Sequence, residues 1–308
     1  MATAVQITDG HFRFKDGSLA YQKTWTPTAP PIAKLVHLHG FSDHINNYYD
    51  LFPTLARQKI LCTGFDQRGW GRSVHDRRER GNTGPTPLIL EDIVCFIEAQ
   101  LASPPAVPVF VMGHSMGGGL LATLASTPRY DGLVSQLGGI MLEAPYIDLV
   151  PTRRPWTITV TLGRALSRLF PHFQVRQNVP PHILVRDQEV QNAIRNDRFM
   201  YPIGTLEMLA NMLERAANLS SGKLTLSNHV KALYVAHGTA DQLTSYNATK
   251  HWFENQANTA QEREFKTYDG WSHLLHVDTP GNREIFIFAN DCASWIRKML
   301  KADLITAM

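Results

Sequence analysis

Apolar and polar positions along the 308 residues follow two rhythms, one of period two and one near 3.6, and the switches between them mark the elements. Residues 11–15 and 19–26 alternate around Asp16-Gly17, which predicts a hairpin at a sheet edge. After the proline-rich linker 27–31, residues 33–41 form a short apolar run ending in His39-Gly40-Phe41, as a buried parallel strand does beneath an active site. Residues 46–58 predict a helix despite Pro53, 59–65 a strand, and 87–101 a helix with apolar positions at 89, 90, 93, 94 and 97 behind a leading proline. A central strand at 107–112 runs through Gly113 and Ser115 into 120–125, which has helical character, and 139–144 is a further strand leading into Pro145. From Tyr146 to about Leu226 no buried strand is visible, and the segment reads as an inserted, mainly helical cap. Strand signals resume at 232–238 and 263–268, with helices at 246–256 and 281–300. Strands separated by helices predict an α/β chain with a doubly wound, mostly parallel sheet covered on both faces. The chain then divides into a core (1–145), a cap (146–226) and the rest of the core (227–308).

Within the cap, residues 156–170 place apolar side chains at 158, 162, 165, 166, 169 and 170 on one helical face, with Arg164 and Arg168 on the other and Arg153-Arg154 just before. Either that face packs on the body, or the helix rests on a lipid surface beside an entrance that admits acyl chains to the site. The second reading makes Ile158, Leu162 and Leu166 candidate substrate contacts. A further apolar face, Ile203, Leu206, Met208, Leu209, Met212 and Leu213, could line the same tunnel, where Met208 and Met212 suit a flexible wall.

Composition narrows the classes. A hydrophobic share of 44% with 19% charged residues is that of a globular chain, and a formal charge of +3 with no dense Lys/Arg run argues against nucleic acid. Arg77-Arg78-Glu79-Arg80 is a compact basic spot that reads as a solvated loop. Cys62, Cys95 and Cys292 are odd in number, without a C-x-x-C pair, each inside an apolar stretch, so reduced buried thiols in a cytoplasmic protein are expected. The first ten residues have no signal-peptide pattern, no run is long enough to span a bilayer, and the sequons at Asn218 and Asn247 are expected to be accidental. The remaining histidines have no metal-ligand spacing, and neither a metal nor a cofactor site is expected.

The chemistry centres on Gly113-His114-Ser115-Met116-Gly117, a G-x-S-x-G between strand and helix. The serine sits on a turn so sharp that the residues two before and two after must lack a Cβ, which exposes its Oγ at the positive end of a helix. Serine alone is a weak nucleophile and needs a base and a group to orient that base. His273, one turn past the last strand, is the first candidate base and His276 the second. Asp241, in the turn after strand 232–238, is the first candidate acid. Glu143, at the end of its own strand, is the alternative; otherwise it is a carboxylate held beneath the cap at the substrate's edge. The N–H groups of Met116 and Phe41 are the candidate oxyanion donors. His39 reads as structural.

Together, His39-Gly40-Phe41, the turn Asp66-Gln67-Arg68-Gly69-Trp70-Gly71-Arg72-Ser73, the serine elbow, His237-Gly238-Thr239-Ala240-Asp241 and Gly270-Trp271-Ser272-His273 resemble the α/β-hydrolase fold, and within it the monoacylglycerol lipases, particularly those of fungi. The resemblance covers residues 10–300 or so. It implies an eight-stranded, mostly parallel sheet, hydrolysis of monoacylglycerol to fatty acid and glycerol without a cofactor, and Ser115, Asp241 and His273 as the triad. A small lipid substrate follows, as does contact with a membrane or lipid droplet through the cap. The cap, with Asn196-Asp197-Arg198, resembles the family less closely. A lysophospholipase, a general carboxylesterase, an acyltransferase and a catalytically silent lipid-binding module are the alternatives.

Overall fold

In the computed structural model, which describes residues 5–278 and 285–306, the paired runs at the N-terminus form one hairpin. β1 (Val5–Arg13) and β2 (Leu19–Pro27) pair antiparallel, and Gly17 turns the corner with φ at 86°. β1 starts earlier than alternation predicts because Asp9 and Gly10, weak strand formers alone, are held by Lys23 and Gln22 opposite. The wholly buried β3 (Ala33–Leu38) follows, then α1 (Leu51–Arg57), β4 (Ile60–Phe65), α2 (Thr86–Ala102), β5 (Val109–His114) and α3 (Met116–Leu124). The single helix expected over 46–58 is broken. A one-turn 3-10 stretch, Ile45–Tyr48, stops at Tyr49, whose φ is 43°, and α1 begins afresh. That restart puts Pro53 in a first turn, where its missing N–H has no partner to lose.

A short α4 (Asp131–Val134) precedes β6 (Gly139–Glu143). Between β6 and the next sheet strand lie α5 (Thr157–Leu169), β7 (Gln174–Arg176), α6 (Gln188–Asn196), β8 (Ile203–Thr205) and α7 (Leu206–Ser220). The antiparallel β7–β8 ribbon lay outside the sequence reading: each strand has three residues, too few for a period to register. β9 (Ala232–Gly238), α8 (Tyr246–Asn255), β10 (Glu262–Tyr268) and α9 (Ile285–Thr306) complete the chain. The expected start of the last helix at 281 lies outside the described residues.

The sheet has eight strands in the order β1-β2-β4-β3-β5-β6-β9-β10. Only β1–β2 and β2–β4 pair antiparallel, so the sheet is mostly parallel, as expected. Side chains alternate across it. Leu35, Phe110 and Met112 join a core with residues of α1 and α9, while Val36, Leu38 and Val111 join one with residues of α2 and α3. Because β3, β4, β5, β6, β9 and β10 run the same way, the loops that follow them gather at one edge, the usual place for a site in such a sheet.

Candidate active site

Ser115 stands between the last residue of β5 and the first of α3, with φ at 51° and ψ at −115°. A non-glycine residue pays for that conformation, and here its neighbours enforce it. A Cβ on Gly113 would lie 2.5 Å from the Gly117 carbonyl oxygen, and one on Gly117 would lie 2.3 Å from that of Leu38. Only glycine at both positions lets β5 turn into α3 this tightly. The elbow is tied to the next strand, since Ser115 N–H donates to Glu143 O at 2.9 Å and Tyr146 N–H donates to Ser115 O at 2.9 Å.

Asp241 and His273 meet across the loops after β9 and β10, with Asp241 Oδ2 2.7 Å from His273 Nδ1. Oδ2 also accepts from the Thr244 hydroxyl at 2.7 Å and contacts His237 Nε2 at 3.1 Å, while Oδ1 accepts from the N–H groups of Leu243 and Thr244. Burial works against ionisation of this carboxyl, but His273, His237 and these hydrogen bonds outweigh it and hold its pKa far below the carboxylate range. Sequence reasoning missed His237 and Thr244. The first faces into the sheet four residues ahead of Asp241 and reads there as part of an apolar strand.

Phe41 and Met116 line one cavity with Ser115, and neither N–H donates a hydrogen bond among the described residues. Met116 opens α3, so its N–H has no carbonyl one turn back. The Phe41 N–H is aimed by His39. Gln67 N–H donates to His39 Nε2 at 2.8 Å, which leaves the proton on Nδ1, 2.8 Å from Gly40 O. Holding that carbonyl fixes the Gly40–Phe41 peptide plane, so its N–H must point the opposite way. Burial pushes the His39 pKa down, so the ring stays neutral and keeps this tautomer. Trp70, fully buried, packs edge-on against Phe41 at 4.9 Å and stacks on Tyr201 at 5.8 Å, which gives the Asp66–Ser73 turn its place in the site.

Ser115 lies where two cavities adjoin. One, about 320 Å³, is mainly apolar, walled by Val160, Leu206, Leu209, Ala210, Met212 and Leu213. The other, about 330 Å³, is more polar, with Ser42, Asn47, Asn178, Arg195 and His273 on its wall. Met212 is therefore at the cavity as expected, but Met208 is 1% exposed and belongs to the core beneath α7.

The apolar face of α5 neither packs on the body nor reaches a cavity, so its three candidate substrate contacts are misplaced while its outward direction fits the lipid-surface alternative. Ile158, Leu162 and Leu166 are 66%, 58% and 45% exposed and line neither cavity. The helix turns Thr159, Val160, Gly163 and Arg164 to the apolar cavity and its greasy stripe outward. Glu143 lines neither cavity either. It is fully buried, with Oε1 2.7 Å from His276 Nδ1. Glu143 and His276 thus pair with each other, and Asp241 and His273 form the pair that reaches the serine's cavity. His44 Nε2 meets Asp197 Oδ2 at 2.8 Å, linking the loop after β3 to the segment between β6 and β9.

A mostly parallel eight-stranded sheet with a serine on a strained turn after its central strand, lining one cavity with the histidine of a buried histidine–carboxylate pair, defines a serine hydrolase of the α/β-hydrolase fold. The family described as "Serine aminopeptidase, S33" matches residues 29–280, and the chain belongs to it as a monoglyceride-lipase-like member. It is 28% identical over 280 residues to a Schizosaccharomyces pombe protein named "Putative monoglyceride lipase", spanning 90% of this chain and 70% of that one. It is 26% identical over 280 residues to the monoacylglycerol lipase of Mycolicibacterium smegmatis, spanning 88% and 90%. A crystal structure of a soluble variant of monoglyceride lipase from Saccharomyces cerevisiae, in complex with a substrate analog, shares the fold with a TM-score of 0.82. That match has 20% identity and covers 97% of this chain and 96% of that one.

Proposed function

We propose that the chain hydrolyses monoacylglycerols to fatty acid and glycerol through an acyl-enzyme on Ser115. The observation that carries this reading is the position of Ser115 between a mainly apolar and a more polar cavity. An ester with its acyl chain in the first and its small polyol in the second brings its carbonyl to the serine. His273, oriented by Asp241, takes the Oγ proton as the oxygen attacks, and the N–H groups of Met116 and Phe41 hold the oxyanion. Collapse of the intermediate breaks the ester bond, and the departing glycerol oxygen takes the proton from His273. Water then attacks the acyl-enzyme by the same route and releases the acid.

Residues 146–226 act as the cap over this site. The outward stripe of α5, with Ile158 at 66% and Leu169 at 72% exposure, costs free energy in water and is suited to a membrane or droplet surface. No helix among the described residues is long and apolar enough to cross a membrane, so contact of this kind is peripheral. The three free thiols suit a cytoplasmic enzyme that meets its substrate there. A lysophospholipase is the second reading, favoured by Arg176 and Arg195 at the polar cavity, where guanidinium groups suit a phosphate.

A long-chain alkyl fluorophosphonate tests the serine. It should add one mass label, on the peptide that contains Ser115, and monoacylglycerol should slow the labelling. A label on another serine, or no protection by the lipid, contradicts the reading.

A further inference from the structure

We infer that Glu143 is a positioning residue that sets the separation of Ser115 and His273 by holding both loops that carry them. The inference rests on the catalytic roles proposed above. Glu143 ends β6, and its two ends do different work. Its backbone oxygen accepts the Ser115 N–H at 2.9 Å. Its carboxylate Oε1 accepts the His276 N–H at 3.2 Å and lies 2.7 Å from His276 Nδ1. His276 is three residues beyond His273, so the carboxylate grips the far limb of the loop that carries the base.

The surroundings make this grip rigid. Both side chains have no exposed surface, and the His276 ring is packed by Tyr48 at 4.6 Å and by His114, edge-on, at 5.5 Å. The residue after Glu143, Ala144, has φ at 42°, so two strained turns, at Ser115 and Ala144, lie side by side and are pinned to one another. Ala144 O in turn lies 3.2 Å from the Thr244 hydroxyl oxygen, and that hydroxyl oxygen lies 3.2 Å from His273 Nδ1. The near limb of the base's loop is held separately, by Asp278 Oδ2 accepting Ser272 N–H at 2.5 Å.

Stability alone does not account for the pair. Glu143 Oε2 and His276 Nε2 have no protein partner among the described residues, and a buried acid–histidine pair left partly unpaired stabilises a fold less than two apolar side chains of the same size would. Glu143 touches neither cavity, so it does not meet substrate. What it does is connect the elbow to the base.

The test compares kcat and KM for a soluble short-chain ester in Glu143→Ala, Glu143→Gln and His276→Phe, with thermal unfolding of each and Ser115→Ala alongside. Glu143→Ala should lower kcat by ~10- to 100-fold with KM nearly unchanged, because the serine and histidine remain but lose their spacing. In Glu143→Gln the amide oxygen still accepts from His276, and most of the lost rate should return. A folded Glu143→Ala protein with wild-type kcat overturns the inference, as does a Gln variant as slow as the Ala variant. If Glu143→Ala does not fold, His276→Phe decides: it keeps a ring against Tyr48 but loses Nδ1, so kcat should fall, and an unchanged kcat overturns the inference. Activity that survives in Ser115→Ala refutes the catalytic roles themselves; activity lost there but intact in Glu143→Ala refutes only the role of Glu143.

Discussion

Asp241 gathers five hydrogen-bonding groups on two oxygens in a setting sealed from water, and its chemistry should therefore appear in stability as well as in rate. The folded chain binds a proton at this carboxyl less readily than the unfolded chain does. Its contribution is thus complete above about pH 4, where an unfolded aspartate is ionised, and is lost as pH falls toward the lower folded value. Asp241→Asn removes that dependence. Urea unfolding of the variant between about pH 2 and 4 should show a shallower loss of stability than the wild type, with kcat at neutral pH down by about 10³–10⁴-fold. Equal slopes would mean that the carboxylate is not held as described. At the same scale, His39 has a role that residue type alone does not reveal, since it works through the Gly40 carbonyl on the N–H of Phe41.

At the scale of elements, α5 is where sequence and structure part company. A 3.6-residue period identifies an apolar face but not what that face meets, so Ile158, Leu162 and Leu166 read as tunnel residues although they point outward. The face toward the cavity includes Gly163, where an added Cβ would meet nothing within 4 Å. Gly163→Leu should fill the cavity from its α5 wall and move the preferred ester to shorter acyl chains. It should also stabilise the helix by about 0.5–1 kcal/mol, because glycine is a poor helix former. A chain-length profile unchanged from wild type would show that acyl chains do not run past α5.

The serine elbow, the strand ends and the Asp241 and His273 turns were legible because each is written in a few consecutive residues. The Glu143–His276 pair spans 133 residues and the His44–Asp197 link 153, and nothing in either local stretch announces its partner. The break at Tyr49 was hidden for a different reason. Pro53 signals a limit on a helix, but a helix that starts later tolerates it as well as one that ends earlier.

For the whole molecule, the sheet fixes where the loops after its six parallel strands converge, and the segment between β6 and β9 adds walls to both cavities there. α5 and α7 wall the apolar cavity, while residues 176–181 with Ile194, Arg195, Met200 and Pro202 contribute to the more polar one. Volumes of about 320 and 330 Å³ suit one acyl chain and one small head group. A second or third acyl chain would have to occupy the polar side, where burying it beside Asn47, Asn178 and Arg195 would strip those groups of water. The measurement that tests this most directly is release of fatty acid from monoacyl-, diacyl- and triacylglycerols of one chain length, with a lysophospholipid of the same chain beside them and Ser115→Ala as the blank. Monoacylglycerol should be cleaved at least ~10-fold faster than the others, a difference of about 1.4 kcal/mol in transition-state binding. Equal rates on all three glycerides, a preference for the lysophospholipid, or no release above the blank would contradict the account.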